Sequence, residues 1–167
     1  MKSGVALLFI VLLFLSGCQT PVPPNFSVRG LGTGGKKIDA ELRTVTVTID
    51  PHMDRRSVPA WWGWVDVAVL WREALQEALD QKSVFTDGAR KTVSIQVNVS
   101  EMRGSLDMGV VTATYRIIDR ATGNTVYGQV IASHARNAND AVRKNILQFL
   151  DQLDLLDINK FLFLPNQ

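Results

Sequence analysis

The sequence predicts an α+β domain in two layers, ordered β-α-β-β-β-α, with a four-stranded mixed sheet and two helices on one of its faces. Three observations predict it. Four stretches alternate apolar and polar residues with period two, and two stretches place apolar residues at helical spacing. One helical stretch falls between the first two strand stretches, which demands a right-handed crossover and a parallel pair. The last three strand stretches follow one another closely enough to pair as antiparallel hairpins.

The first strand stretch sets Val45, Val47 and Ile49 against Thr44, Thr46 and Thr48, and Leu42 precedes it. β-branched residues on both faces favour the extended backbone. Asp50-Pro51 stops it, because proline has no N–H for the ladder. An irregular stretch follows, from His52 to about Gly63, and includes Arg55, Arg56, Pro59 and the start of Trp61-Trp62-Gly63-Trp64. A helix is predicted over 65–82, with Val67, Leu70, Trp71, Ala74, Leu75, Ala78 and Leu79 on one broad face. Asp87-Gly88 marks a turn after it.

Over 92–100, Val93, Ile95, Val97 and Val99 alternate with Ser94, Gln96 and Asn98, and over 110–118, Val111, Ala113, Tyr115 and Ile117 define the apolar face. In 125–133 both alternating sets contain apolar residues: Val126, Val130 and Ala132 against Tyr127, Gln129 and Ile131. The inward face there stays open. Between the last two strands, Asp119 opens a turn and Gly123-Asn124 tolerates positive φ. A helix is predicted over 140–153, with Asn139 as N-cap and Val142, Ile146, Phe149, Leu150 and Leu153 as its stripe. The tail Phe161-Leu162-Phe163-Leu164 is too apolar for a free end, so it packs as a short element or meets a partner.

The N-terminus says where the protein works. Lys2 precedes an apolar run from Val5 to Leu15, far short of the roughly 20 residues of a spanning helix. With Ser16-Gly17 behind it, the stretch reads as a secretory signal peptide. Leu15-Ser16-Gly17-Cys18 resembles the lipobox of bacterial lipoproteins. The resemblance implies cleavage before Cys18 and transfer of a diacylglycerol, with palmitate-type chains, to its sulfur. Gln19 in place of Asp implies passage to the outer membrane, periplasmic side. The chain then divides into a signal peptide over 1–17, a tether over 18–37 and one periplasmic domain over 38–167. Pro21, Pro23, Pro24 and the glycines at 30, 32, 34 and 35 give the tether no periodicity, and no core residue is expected in it. At roughly 3.3 Å per residue it would let the domain stand several nanometres off the membrane.

Composition narrows function. Without Lys2 the chain keeps 17 basic and 16 acidic residues, so no single-sign field attracts nucleic acid. Cys18 is the one cysteine. Once it is acylated, disulfides, thiol catalysis and cysteine-bound metals are excluded. Gly32-Thr33-Gly34-Gly35-Lys36-Lys37 lacks the spacing of a phosphate loop. His52 and His134 are the only histidines, each without a patterned partner, so no catalytic residue, metal ligand or cofactor is assigned. Trp61, Trp62 and Trp64 form a large aromatic group that serves either as a plug at the helix entrance or, exposed, as a membrane-interface anchor, a partner patch or a sugar-stacking platform. They are the candidate interface together with Phe161 and Phe163.

Trp71-Arg72-Glu73-Ala74-Leu75-Gln76-Glu77-Ala78-Leu79 with Val84-Phe85, and Ala113-Thr114-Tyr115-Arg116-Ile117-Ile118-Asp119 followed by Ala121-Thr122-Gly123, resemble small bacterial lipoproteins sometimes labelled UDP-N-acetylglucosamine acyltransferase. That label implies an envelope enzyme acting on lipid or sugar. No hexapeptide repeat of the kind that builds a left-handed β-helix runs through the chain. More broadly, the element order is similar to the periplasmic domains of the curli-secretion and Pel-export lipoproteins, which assemble into rings at the outer membrane. This second resemblance implies a non-enzymatic interaction or assembly module, with an envelope protein or a second copy of the chain as partner.

Overall fold

The computed structural model describes residues 24–32, 34–53, 66–104 and 108–163. Chain order is β1 (Glu41–Ile49), α1 (Val67–Lys82), β2 (Thr92–Gly104), β3 (Gly109–Asp119), β4 (Thr125–Ala135), α2 (Ala138–Leu155) and α3 (Ile158–Leu162). The sheet runs β1-β2-β3-β4, with β1 parallel to β2 and the other pairs antiparallel. The expected α+β architecture is therefore the observed one, with a third, short helix added from the tail.

Period-two alternation drives every inward face. Val93, Ile95, Val97 and Val99 of β2 and Val111, Ala113, Tyr115 and Ile117 of β3 are all buried. In β4 the inward set is Tyr127, Ile131 and Ser133, while Val130 is 62% exposed. Packing decides this, because Tyr127 comes against Phe149 of α2 with ring centroids 5.8 Å apart. A bulge between Val99 and Glu101 turns the end of β2, so that Met102 points back into the core.

Capping sets the helix starts. The Asp66 carboxylate accepts the N–H groups of Ala68 and Val69, both at 3.1 Å, so α1 begins at Val67. It ends at Ser83, whose φ of 51° is left-handed, with Val84 N–H returning to the Leu79 carbonyl. Asn137 caps α2, not Asn139: its side-chain oxygen accepts Asp140 N–H at 2.9 Å from an extended backbone. Gly109 is packed against the Asn137 carbonyl, where any Cβ would collide, so the start of β3 and the start of α2 lie together.

The segment expected as a free tether contributes to the core, which corrects the sequence reading. Pro24, Phe26 and Val28 are buried, with Phe26 only 2% exposed. α1 and α2 touch each other sparsely. Phe26 is buried against α1, meeting Trp71 edge-on at 6.2 Å. Asn25 N–H donates to Asn139 Oδ1 at 3.2 Å, and the Ser27 hydroxyl donates to Glu77 Oε2 at 2.8 Å. The strap so formed is stitched to both helices. Further along, Asn159 of α3 donates to the Lys37 carbonyl and accepts Asp39 N–H, which seats the tail helix beside the entry to β1.

Candidate functional site

Three surfaces compete for function: the open face of the sheet, the tail, and the end of the domain where the strap enters. The open face is built by register. Thr46, Gln96 and Arg116 stand in one row across β1, β2 and β3, and Thr48, Asn98 and Thr114 in the next. Gly128 and Val130 continue these rows on β4. The rows enclose a shallow concavity of about 360 Å³ lined by hydroxyls, amides and the Arg116 guanidinium. Thr48 Oγ1 donates to the Val97 carbonyl at 3.3 Å, which orients one wall. Such a surface offers hydrogen-bond donors and acceptors.

A second concavity, about 280 Å³, runs along the edge strand β4 and takes Gln148, Asp151 and Gln152 of α2 as its other wall. Among the described residues β4 and β1 both present unpaired edges, which are templates for further strand pairing.

The tail divides cleanly. Ile158 and Leu162 of α3 are 2% exposed, whereas Phe161 and Phe163 are 54% and 52% exposed. Leu155 and Leu156 are exposed as well. Lys91 Nζ stands 6.0 Å from the Phe163 ring centroid, at the edge of cation–π range. The tail thus packs as a short helix and keeps two aromatic rings outside. Cys18, Trp61, Trp62 and Trp64 lie outside the described residues.

No catalytic arrangement comes together among the described residues. His52 and His134 are both exposed, and neither lines the two concavities. Among the described residues no group of three or more His, Cys, Asp or Glu is placed to hold a metal. The buried polar groups serve structure. The Tyr115 hydroxyl donates to Asn145 Oδ1 at 2.8 Å, and Asn145 Nδ2 donates to the Ile131 carbonyl and to Ser133 Oγ. Burial pushes the Tyr115 phenol far above its ordinary range and the Tyr127 phenol up to about 12. Burial would raise the Asp119 carboxyl as well. The Ala121 N–H bond and the Lys91 ammonium at 3.3 Å outweigh it and hold the group below its usual value. That carboxylate closes the β3–β4 turn.

Sequence reasoning missed the strap. Its signal was Phe26 and Val28 two apart around Ser27, short strand-like alternation obscured by the neighbouring prolines and glycines.

No family model matches the chain, and no curated protein matches it. Solved structures do. The PelC dodecamer from Paraburkholderia phytofirmans superposes with a TM-score of 0.52 at 15% identity, over 73% of this chain and 96% of that one. The hypothetical protein CT253 from Chlamydia trachomatis gives the same TM-score at 6% identity, over 69% and 96%. A minor lipoprotein from Acinetobacter baumannii aligns over 67% and 92% at 12% identity, with a TM-score of 0.40. For the first two, at these identities, the fold is what is shared. Nothing in these neighbours carries the acyltransferase label. Among the described residues no helix is long and apolar enough to cross a membrane.

Proposed function

We propose that the protein is a lipid-anchored lipoprotein of the outer membrane, facing the periplasm, and that it acts as a non-enzymatic interaction or assembly module of an envelope complex. The observation that carries the reading is the fold shared with PelC, a protein that forms a dodecamer. A domain of this shape is compatible with ring assembly. Its open edges β1 and β4 and its exposed aromatic rings at Phe161 and Phe163 supply surfaces for contact with copies of itself or with an envelope protein. Trp61, Trp62 and Trp64, which precede the α1 cap Asp66, are proposed as a second, separate contact surface.

Anchoring rests on Leu15-Ser16-Gly17-Cys18. Two acyl chains on Cys18 suffice for stable attachment. Metabolic labelling with a palmitate analogue tests it. Wild-type protein should take up label and fractionate with the outer membrane, and Cys18→Ser should take up none. Label on the Cys18→Ser protein, or an unlabelled wild type, would refute the anchor.

A further inference from the structure

The strap gives the anchored domain a direction. β1, β2 and β4 finish at one end of the molecule, and β3, α1 and α2 start there. Asn25 is held by Asn139 in the first turn of α2, and Phe26 by Trp71 in the second turn of α1, so Pro24 enters at this same end. The chain then runs toward the opposite end, where Gly35 lies against Asp154 and Lys82 Nζ pairs with Asp154 at 2.5 Å. From Pro24 back to Cys18 there are six residue steps, roughly 20 Å at full extension. A tether free as far as Ile38 would reach roughly 65 Å.

We infer that the end of the domain holding the helix N-termini, the last residues of β2 and the first of β3 is a membrane-facing surface, and that the strap presses it against the lipid bilayer in which Cys18 is embedded. The inference rests on the anchoring proposed above. Chain length leaves the bilayer as the occupant, since no point of this end can move far from the anchored sulfur. The chemistry of the end fits a headgroup plane. Arg136 is exposed there, Lys144 Nζ reaches the His134 carbonyl at its rim, and the Met108 side chain is 56% exposed. Among the described residues the acids at this end are engaged within the fold: Asp50 accepts His52 N–H, Asp66 caps α1, Glu101 pairs with Arg103, and Asp140 pairs with Arg143. The opposite end, with Phe161, Phe163 and the β3–β4 turn, then points into the periplasm, open to a partner.

The test uses the processed protein, beginning at Cys18, coupled through that thiol to maleimide-bearing lipid in phosphatidylethanolamine–phosphatidylglycerol vesicles. Hydrogen exchange is compared with that of the uncoupled protein. Amides of 108–112 and 134–139 should slow several-fold on coupling, and those of 119–125 and 156–163 should not change. A variant with about ten Gly and Ser residues inserted after Gln19 keeps the strap docked but frees the domain. It should melt like wild type and lose the slowing. Slowing at the opposite end, or at both ends alike, would overturn the orientation. Slowing that survives the insertion would overturn the role of the strap. Chemical coupling makes the result independent of whether cells acylate Cys18, which the palmitate label decides separately.

Discussion

The ring of Phe26 meets the ring of Trp71 edge-on at 6.2 Å, and through that contact a segment that reads as a linker becomes part of the core. Both side chains are buried. Phe26→Ala should therefore cost about 3 kcal/mol, the low end for a large buried aromatic, because a strap can partly collapse into the gap. Urea unfolding monitored by circular dichroism checks this. A cost under about 0.5 kcal/mol would place Phe26 among ordinary surface positions. A chain that starts at Lys37 should melt at a lower temperature than one that starts at Cys18, since it lacks Phe26 and Val28.

The second prediction concerns the polar link between the layers. Tyr115 of β3 bonds to Asn145 of α2 at 2.8 Å, and its ring stacks on Phe149 with centroids 4.3 Å apart. Tyr115→Phe keeps the stacking and leaves Asn145 Oδ1 buried without its donor, which should cost about 1–3 kcal/mol. Asn145→Ala combined with Tyr115→Phe should cost less than the sum of the single changes. A double-mutant cycle measures the coupling, and strict additivity would show that the bond contributes nothing.

The third concerns pH. Asp119 is held below its usual range in the folded state, so it contributes stability above the unfolded carboxylate value of 3.8, and this is lost as pH falls through the lower folded value. Tyr127 is raised to about 12, so its contribution is full below the unfolded value of 10.0 and lost as pH rises from there through about 12. Asp119→Asn should flatten the acid limb of a stability–pH curve, and Tyr127→Phe should lessen the alkaline loss. An acid limb unchanged in Asp119→Asn would contradict the first assignment.

The tail supplies a fourth. Leu162 is buried, and Leu162→Ala should destabilise by about 2–5 kcal/mol. Phe161→Ser with Phe163→Ser touches exposed rings and should change stability by about 0.5 kcal/mol or less. If those rings form the proposed contact, the double variant should lose assembly while its thermal melt is kept. A large loss of stability would make them structural.

Much of the architecture is legible in the sequence because binary pattern and turn chemistry agree over most of the chain. Val93 to Val99 can only be a strand with one inward face, and the Trp71-Ala74-Leu75-Ala78 spacing can only be a helix stripe. Where two physical readings tie, pattern alone does not decide. β4 offers apolar residues on both faces, and only the meeting of Tyr127 with Phe149 chooses between them. Asn137 and Asn139 are equivalent as caps in sequence, and the extended backbone at Asn137 selects it. The strap stayed hidden because its partners, Trp71, Glu77 and Asn139, lie far away along the chain. The candidate site is less legible still. The open face follows from alternation, but its rows of Thr46, Gln96 and Arg116 depend on strand register, which no single stretch contains.

The most direct test of the assembly proposal is the mass of the lipidated wild-type protein extracted in mild detergent and measured by mass photometry or native mass spectrometry. The account predicts a discrete multimer, or a stoichiometric complex with an envelope protein, that Phe161→Ser with Phe163→Ser disrupts. A protein that is monomeric and alone at every concentration measured would contradict it.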